Sequence, residues 1–310
     1  MALDEATIGF LTQLADTGAK PLHELTPAEA RGFTAMLSEL TGPGPEVDNS
    51  YDVELAAADG DNFTVRVLVP AGEILALVVY FHGGGWVIGN VDEYDALARK
   101  LANDLHAAVV NVDYRLAPEH PYPAAADDSW TALQWAAGHM TEIAGGPVPL
   151  IVMGDSAGGN LSAVVAQKAR DAGGPELAVQ VLIYPVTDAD LDNTSYTDPA
   201  NQLMLTREGM IWFWDHYAPD PLSRAKPDAS PLQAASLAGL APAIVLTAEH
   251  DVLREEGEVY AERLQQAGVL VEHRRFPGQM HGFFTMVGVL PGSADAIAYI
   301  TEHLGRRLGA

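Results

Sequence analysis

The 310-residue chain contains no cysteine, which excludes disulfides, thiolate-bound metals and a cysteine nucleophile. It also lacks any uncharged apolar run on the order of 18 residues, so nothing in it reads as a transmembrane helix. Basic residues are scarce: 17 lysines and arginines stand against 42 aspartates and glutamates, a formal charge of −25. Nucleic acid and anionic membranes both require a basic footprint, so neither is an expected partner. The opening Met1-Ala2-Leu3-Asp4-Glu5 has neither the basic nor the apolar region of a signal peptide, and a cytoplasmic location is the expectation. Carboxylates and histidines do not gather at metal-ligand spacing, and neither G-x-x-x-x-G-K-[ST] nor a helix-opening G-x-G-x-x-G occurs. No metal or organic cofactor is expected.

Hydrophobic residues are abundant, at 48%, and sustain a large core. Apolar runs at 76–81, 108–112, 149–153, 179–184, 243–247 and 269–272 alternate with helical stretches at about 92–106, 123–138, 159–171, 255–267 and 293–308. This alternation predicts an α/β fold with a mostly parallel sheet flanked by helices. Ahead of it, Tyr51–Leu55 and Phe63–Val69 alternate around Asp59-Gly60-Asp61-Asn62 and predict an antiparallel hairpin at the sheet edge. Residues 1–45 read as helical, with Thr26-Pro27-Ala28-Glu29 as a cap and Thr41-Gly42-Pro43-Gly44-Pro45 as a breaker. The segment from about 186 to 240 interrupts the rhythm and contains the aromatic stretch Ile211-Trp212-Phe213-Trp214; insertions of that size in compact domains tend to be lids or binding loops.

Two glycine-rich segments carry chemistry. Gly154-Asp155-Ser156-Ala157-Gly158 follows the apolar run Pro149–Met153 and fits G-x-S-x-G, the sharp strand-to-helix turn that exposes a serine hydroxyl for attack. His82-Gly83-Gly84-Gly85-Trp86 follows the run Ala76–Phe81, and consecutive glycines let backbone N–H groups approach a developing oxyanion. A serine nucleophile needs a base and an orienting carboxylate, in the chain order Ser, Asp/Glu, His for this elbow. Of the ten histidines, His281 alone has both the loop position after the last strand and that order. His82 belongs to the glycine loop and is expected to brace it, as is Asp155 beside the serine. Glu249, Asp251, Glu255 and Glu256 all compete for the carboxylate, although Glu255 and Glu256 sit at a helix start, where they favour the macrodipole.

HGGGW and GDSAGG, in this order and about 70 residues apart, resemble the hormone-sensitive-lipase-like branch of the α/β-hydrolases, the bacterial family IV esterases. Asp113-Tyr114-Arg115-Leu116-Ala117-Pro118-Glu119, Tyr184-Pro185, the stretch Glu249–Gly257 and His281-Gly282-Phe283 complete the likeness, which runs from about Asp52 onward. The resemblance implies an α/β-hydrolase fold at 46–310, with a helical cap from residues 1–45 and the insertion at about 186–240. It singles out Asp251 as the acid; Val252 and Glu255 depart from the family's D-P-L-R-D-E-G. It implies an oxyanion hole of Gly84, Gly85 and Ala157, with Gly83 shaping the loop, and it suggests a homodimer formed through sheet edges. The implied activity is hydrolysis of small carboxylic esters through an acyl-enzyme on Ser156, His281 and Asp251, with short to medium acyl chains fitting under the cap. Trp212, Phe213, Trp214 and Met204 are expected to supply its bulk. An amidase or deacetylase on the same triad is the alternative. A non-catalytic receptor, as in the related gibberellin receptors, would be marked by loss of the histidine, and His281 is present.

Overall fold

The computed structural model describes residues 2–309. Its single sheet comprises β1 (Asn49–Ala56), β2 (Asn62–Val69), β3 (Ala76–Phe81), β4 (Ala107–Asp113), β5 (Leu150–Asp155), β6 (Val179–Ile183), β7 (Ala243–His250) and β8 (Val271–Met280), in the order β1-β2-β4-β3-β5-β6-β7-β8. The β1–β2 hairpin sits at one edge as expected, and β2 pairs antiparallel with β4. All pairings from β4 through β3 to β8 are parallel. The last strand is much longer than the apolar run at 269–272 predicts. It continues through Arg274, Arg275 and Pro277 because β8 is an edge strand, where charge and a missing donor are tolerated.

Helices α1 (Glu5–Asp16) and α2 (Pro27–Ser38) precede the sheet, and Thr26 and Glu29 form the expected capping box at the start of α2. The crossovers follow as α3 (Asp95–Asp104), α4 (Ala124–Gly138), the short α5 (Met140–Ala144) and α6 (Ala157–Ala172). The insertion carries α7 (Thr194–Thr197), α8 (Arg207–Tyr217) and α9 (Pro221–Arg224), and α10 (Arg254–Gln266) and α11 (Pro291–Leu308) close the chain.

Strand β3 shows why the central strands are continuously apolar. Leu77, Val79 and Phe81 pack on one face with Leu133 of α4 and Leu161 of α6. Ala76, Val78 and Tyr80 pack on the other with Leu101 of α3 and Ile300 of α11. Both faces are buried, so period-two alternation disappears. The parallel strands all point their carboxyl ends one way, where open α/β sheets bind ligands. The glycine loop leaves β3 there, Ser156 follows β5, Asp251 follows β7 and His281 follows β8. Among the described residues no helix is long and apolar enough to cross a membrane.

Candidate active site

Ser156 caps the turn between β5 and α6 with φ 56° and ψ −118°, a left-side conformation that ordinary residues adopt only under constraint. The constraint is closeness of backbone. A Cβ on Gly158 would overlap the carbonyl oxygen of Phe81 on β3, and one on Gly154 would overlap the carbonyl of Gly158. Only glycine lets α6 start this near the strand, and the geometry lifts the serine hydroxyl to the end of the sheet.

His281 begins immediately after β8, and its Nε2 lies 3.1 Å from Ser156 Oγ. Its Nδ1 lies 2.8 Å from Asp251 Oδ2. Asp251 is fully buried, and its other oxygen accepts the Leu253 N–H at 2.9 Å, so the carboxylate is fixed on both sides. With Nδ1–H donating to Asp251, Nε2 is left as the acceptor for the serine hydroxyl. Tyr184, at φ 33°, packs its ring 4.5 Å from the imidazole and limits its tilt. The competing carboxylates lie elsewhere. Glu249 accepts from Gly278 N–H, and Glu255 accepts from the Thr194 hydroxyl. Glu256 differs from a solvated helix-start residue: it is buried, accepts the N–H of Thr187 at 2.7 Å and of Asp188 at 3.3 Å, and has its carboxyl pushed well up by burial.

The glycine loop is held in place from below. Asp155 Oδ1 accepts the Gly83 N–H at 3.0 Å and the Tyr80 hydroxyl at 2.6 Å, and Oδ2 accepts the Tyr94 hydroxyl at 3.4 Å. Gly83 is therefore spent on Asp155. Among the described residues no hydrogen bond uses the N–H of Gly84, Gly85 or Ala157. Gly84 and Gly85 adopt φ 104° and 57° and line the same cavity as Ser156. His82 is buried, lies 2.6 Å through Nδ1 from the Gly83 carbonyl and stacks 4.3 Å from Tyr114. Burial pushes its pKa down to about 4, so it is a neutral brace. Burial likewise raises Asp155 to about 6, against the lowering effect of the Tyr80 hydroxyl.

The other singled-out motif, Asp113–Glu119, is scaffolding. The Tyr114 hydroxyl donates to the His82 carbonyl at 2.8 Å, and Arg115 clamps Asp128 of α4 through two nitrogens. Sequence reasoning missed Tyr80 and Tyr94 as partners of Asp155. For Tyr80 the available signal was a phenol inside an otherwise apolar buried strand, since a buried phenol needs an acceptor.

A cavity of about 500 Å³ opens above Ser156 and His281. Its walls come from α1 (Leu11, Leu14), α2 (Phe33, Leu37) and the insertion (Met204, Phe213). Phe213 lies against Gly85, where a Cβ would meet its ring. Trp212 and Trp214 are not in this wall. Trp214 is buried against Trp86 at 4.8 Å, and Trp86 stacks on Tyr217 at 4.1 Å, so these rings fasten α8 to the glycine loop. Among the described residues no three histidine, aspartate or glutamate side chains come together as a metal site.

A family description, the alpha/beta hydrolase fold, matches residues 78–285. The chain is 44% identical over 290 residues to Carboxylesterase NlhH of Mycobacterium tuberculosis, covering 89% of each. It is 34% identical over 321 residues to ethyl acetate hydrolase of Pseudomonas putida, covering 99% of this chain and all of that one. Among solved structures it resembles the hyperthermophilic esterase of Pyrobaculum calidifontis, with a TM-score of 0.91, 36% identity and full coverage of both chains. It also resembles ester-hydrolase EH1AB1 from the Lake Arreo metagenome, solved with a bipyridine phosphonate derivative. That match has a TM-score of 0.92 at 36% identity, covering 99% of this chain and 100% of the other.

Proposed function

We infer that this chain, which belongs to the hormone-sensitive-lipase-like branch of the α/β-hydrolase superfamily, is a carboxylic ester hydrolase with Ser156 as its nucleophile. The observation that carries the assignment is the unbroken hydrogen-bonded line Ser156–His281–Asp251, at 3.1 and 2.8 Å. As the ester carbonyl enters, the Ser156 proton passes to His281 Nε2 and the Oγ–carbon bond forms. Asp251 holds Nδ1–H and stabilises the resulting imidazolium. The negative charge on the former carbonyl oxygen is met by the N–H groups of Gly84, Gly85 and Ala157, which have no competing partner among the described residues. Collapse breaks the bond to the alcohol oxygen, which takes the proton from Nε2. Water then repeats the sequence on the acyl-enzyme, with His281 again as base, and releases the acid.

The helices α1 and α2 and the insertion at about 186–240 act as a cap, and the cavity beneath them sets the substrate range. Each acyl methylene buried there contributes about 0.8 kcal/mol while it fits, and nothing once the chain outruns the walls. Acyl chains of roughly four to eight carbons should be preferred, with Phe213 and Met204 bounding the pocket. The enzyme acts in the cytoplasm on small-molecule esters, without nucleic acid as a partner, and it associates as a homodimer through a sheet edge.

A panel of p-nitrophenyl esters from two to sixteen acyl carbons, with Ser156→Ala alongside, tests this reading. Activity should peak at short to medium length, and the variant should lose on the order of 10⁴ or more in kcat while staying folded. A folded variant keeping a tenth of wild-type activity overturns the nucleophile. Equal rates on emulsified long-chain triglyceride overturn the pocket.

A further inference from the structure

Helix α1 is more than a wall of the cavity, because its first turn is tied to the strand ends that carry the base and the acid. Asp4 is the N-cap of α1, its Oδ1 accepting the Thr7 N–H at 2.6 Å. Its backbone N–H donates to the Gly278 carbonyl at 3.1 Å, and its Oδ2 accepts from Gln279 Nε2. Gln279 stands two residues before His281. The Gly278 N–H in turn donates to Glu249 at 2.8 Å, and Glu249 stands two residues before Asp251. Asp4 thus closes a hydrogen-bonded knot over the ends of β7 and β8, next to both members of the triad that act on Ser156.

The knot is built to little tolerance. Gly278 sits at φ 71°, and a Cβ there would press on the Asp4 backbone. Gln279 is buried, and a Cβ on Gly292 at the start of α11 would strike its amide, so that amide has one place to go. Its Oε1 is buried without a partner, leaving the bond to Asp4 as the only side-chain hydrogen bond that fixes it among the described residues. On the far side of Asp4, Leu11 and Leu14 of the same helix face the cavity.

We propose that Asp4 is a positioning residue for catalysis, clasping the Gly278–Gln279 segment so that His281 is held in line with Ser156 and moves with the substrate-lining helix. The proposal rests on His281 being the base. A base displaced by about 1 Å loses on the order of 10²-fold in rate, and substrate binding to the cavity walls is left nearly as it was. The clasp therefore acts on kcat rather than on KM.

Asp4→Ser keeps an N-cap oxygen for α1 but is too short to reach Gln279, whereas Asp4→Asn keeps both, since Gln279 can turn its Oε1 toward the new amide. With p-nitrophenyl butyrate, Asp4→Ser should lose about tenfold or more in kcat with KM within about twofold, and Asp4→Asn should stay within about threefold of wild type. Gln279→Glu, which sets two carboxylates against each other, should lose kcat as well, and the double variant Asp4→Asn/Gln279→Glu should recover it. Wild-type kcat in Asp4→Ser, equal losses in Asp4→Ser and Asp4→Asn, a change confined to KM, or no recovery in the double variant would each overturn the clasp. His281→Ala run in parallel separates the two ideas. An inactive His281→Ala beside a fully active Asp4→Ser removes the clasp alone, and an active His281→Ala removes the assignment of the base on which it rests.

Discussion

At Asp155 the chain buries a carboxylate one residue from Ser156 and surrounds it with donors instead of a cation. The Tyr80 and Tyr94 hydroxyls and the Gly83 N–H hold it, and burial keeps both phenols protonated by raising their pKa values far above ordinary tyrosine. Burial still outweighs these bonds and lifts the carboxyl from 3.8 to about 6. The folded protein therefore holds this proton more tightly than the unfolded chain. The group favours folding most below the ordinary carboxylate range, and that contribution is lost as pH rises to about 6. Asn in its place still accepts from Tyr80 and Gly83 but cannot ionise. Asp155→Asn should gain stability relative to wild type, by up to about 3 kcal/mol, between pH 4 and pH 7. Denaturant midpoints at the two pH values measure this, and a pH-independent difference between the proteins contradicts it. Ser156, His281 and the glycine loop stand out in the sequence as motifs, but the tyrosines beneath them do not. These phenol-to-carboxylate contacts join residues 75 and 61 positions apart, and no local spacing records that.

Among the elements, the turn from β5 into α6 has the least freedom. Its glycines are required by close approach between backbones rather than by flexibility. Gly158→Ala drives a methyl into the Phe81 carbonyl, an atom of a central strand that cannot move aside. The variant should lose about 3 kcal/mol or more, or fail to accumulate in folded form. A thermal midpoint within a few degrees of wild type would show that α6 is not held at that distance. Element types were readable where both faces of a strand are apolar, as at β3 and β5. The reach of β8 was not, because an edge strand tolerates Arg274, Arg275 and Pro277, which fall outside the apolar run at 269–272. The strand order was hidden as well: β2 pairs with β4, so the hairpin skips β3, and that choice is made by a crossover rather than by any run of residues. In the insertion, the aromatic stretch of α8 was visible, but its division of labour was not. Phe213 faces the cavity while Trp214 packs at a tilt and Tyr217 stacks on Trp86, a split that depends on where the glycine loop presents its own ring.

Across the whole molecule, the chemistry gathers on one face. Four strand ends deliver the glycine loop, Ser156, Asp251 and His281 to the same side of the sheet, and α1, α2 and the insertion cover them. The chain as a whole carries a formal charge of −25, the sign that repels anionic surfaces. Among the serines of the described residues, only Ser156 is set against a histidine that is itself held by a buried carboxylate. It should therefore be the one hydroxyl that attacks an activated phosphorus ester. Intact-mass and peptide mass spectrometry after treatment with a p-nitrophenyl alkylphosphonate tests this most directly. The expected result is one phosphonyl group per chain, located on Ser156, with activity lost in proportion to labelling and no adduct on Ser156→Ala. Inactivation without label on Ser156, or equal labelling of Ser156→Ala, would contradict the account.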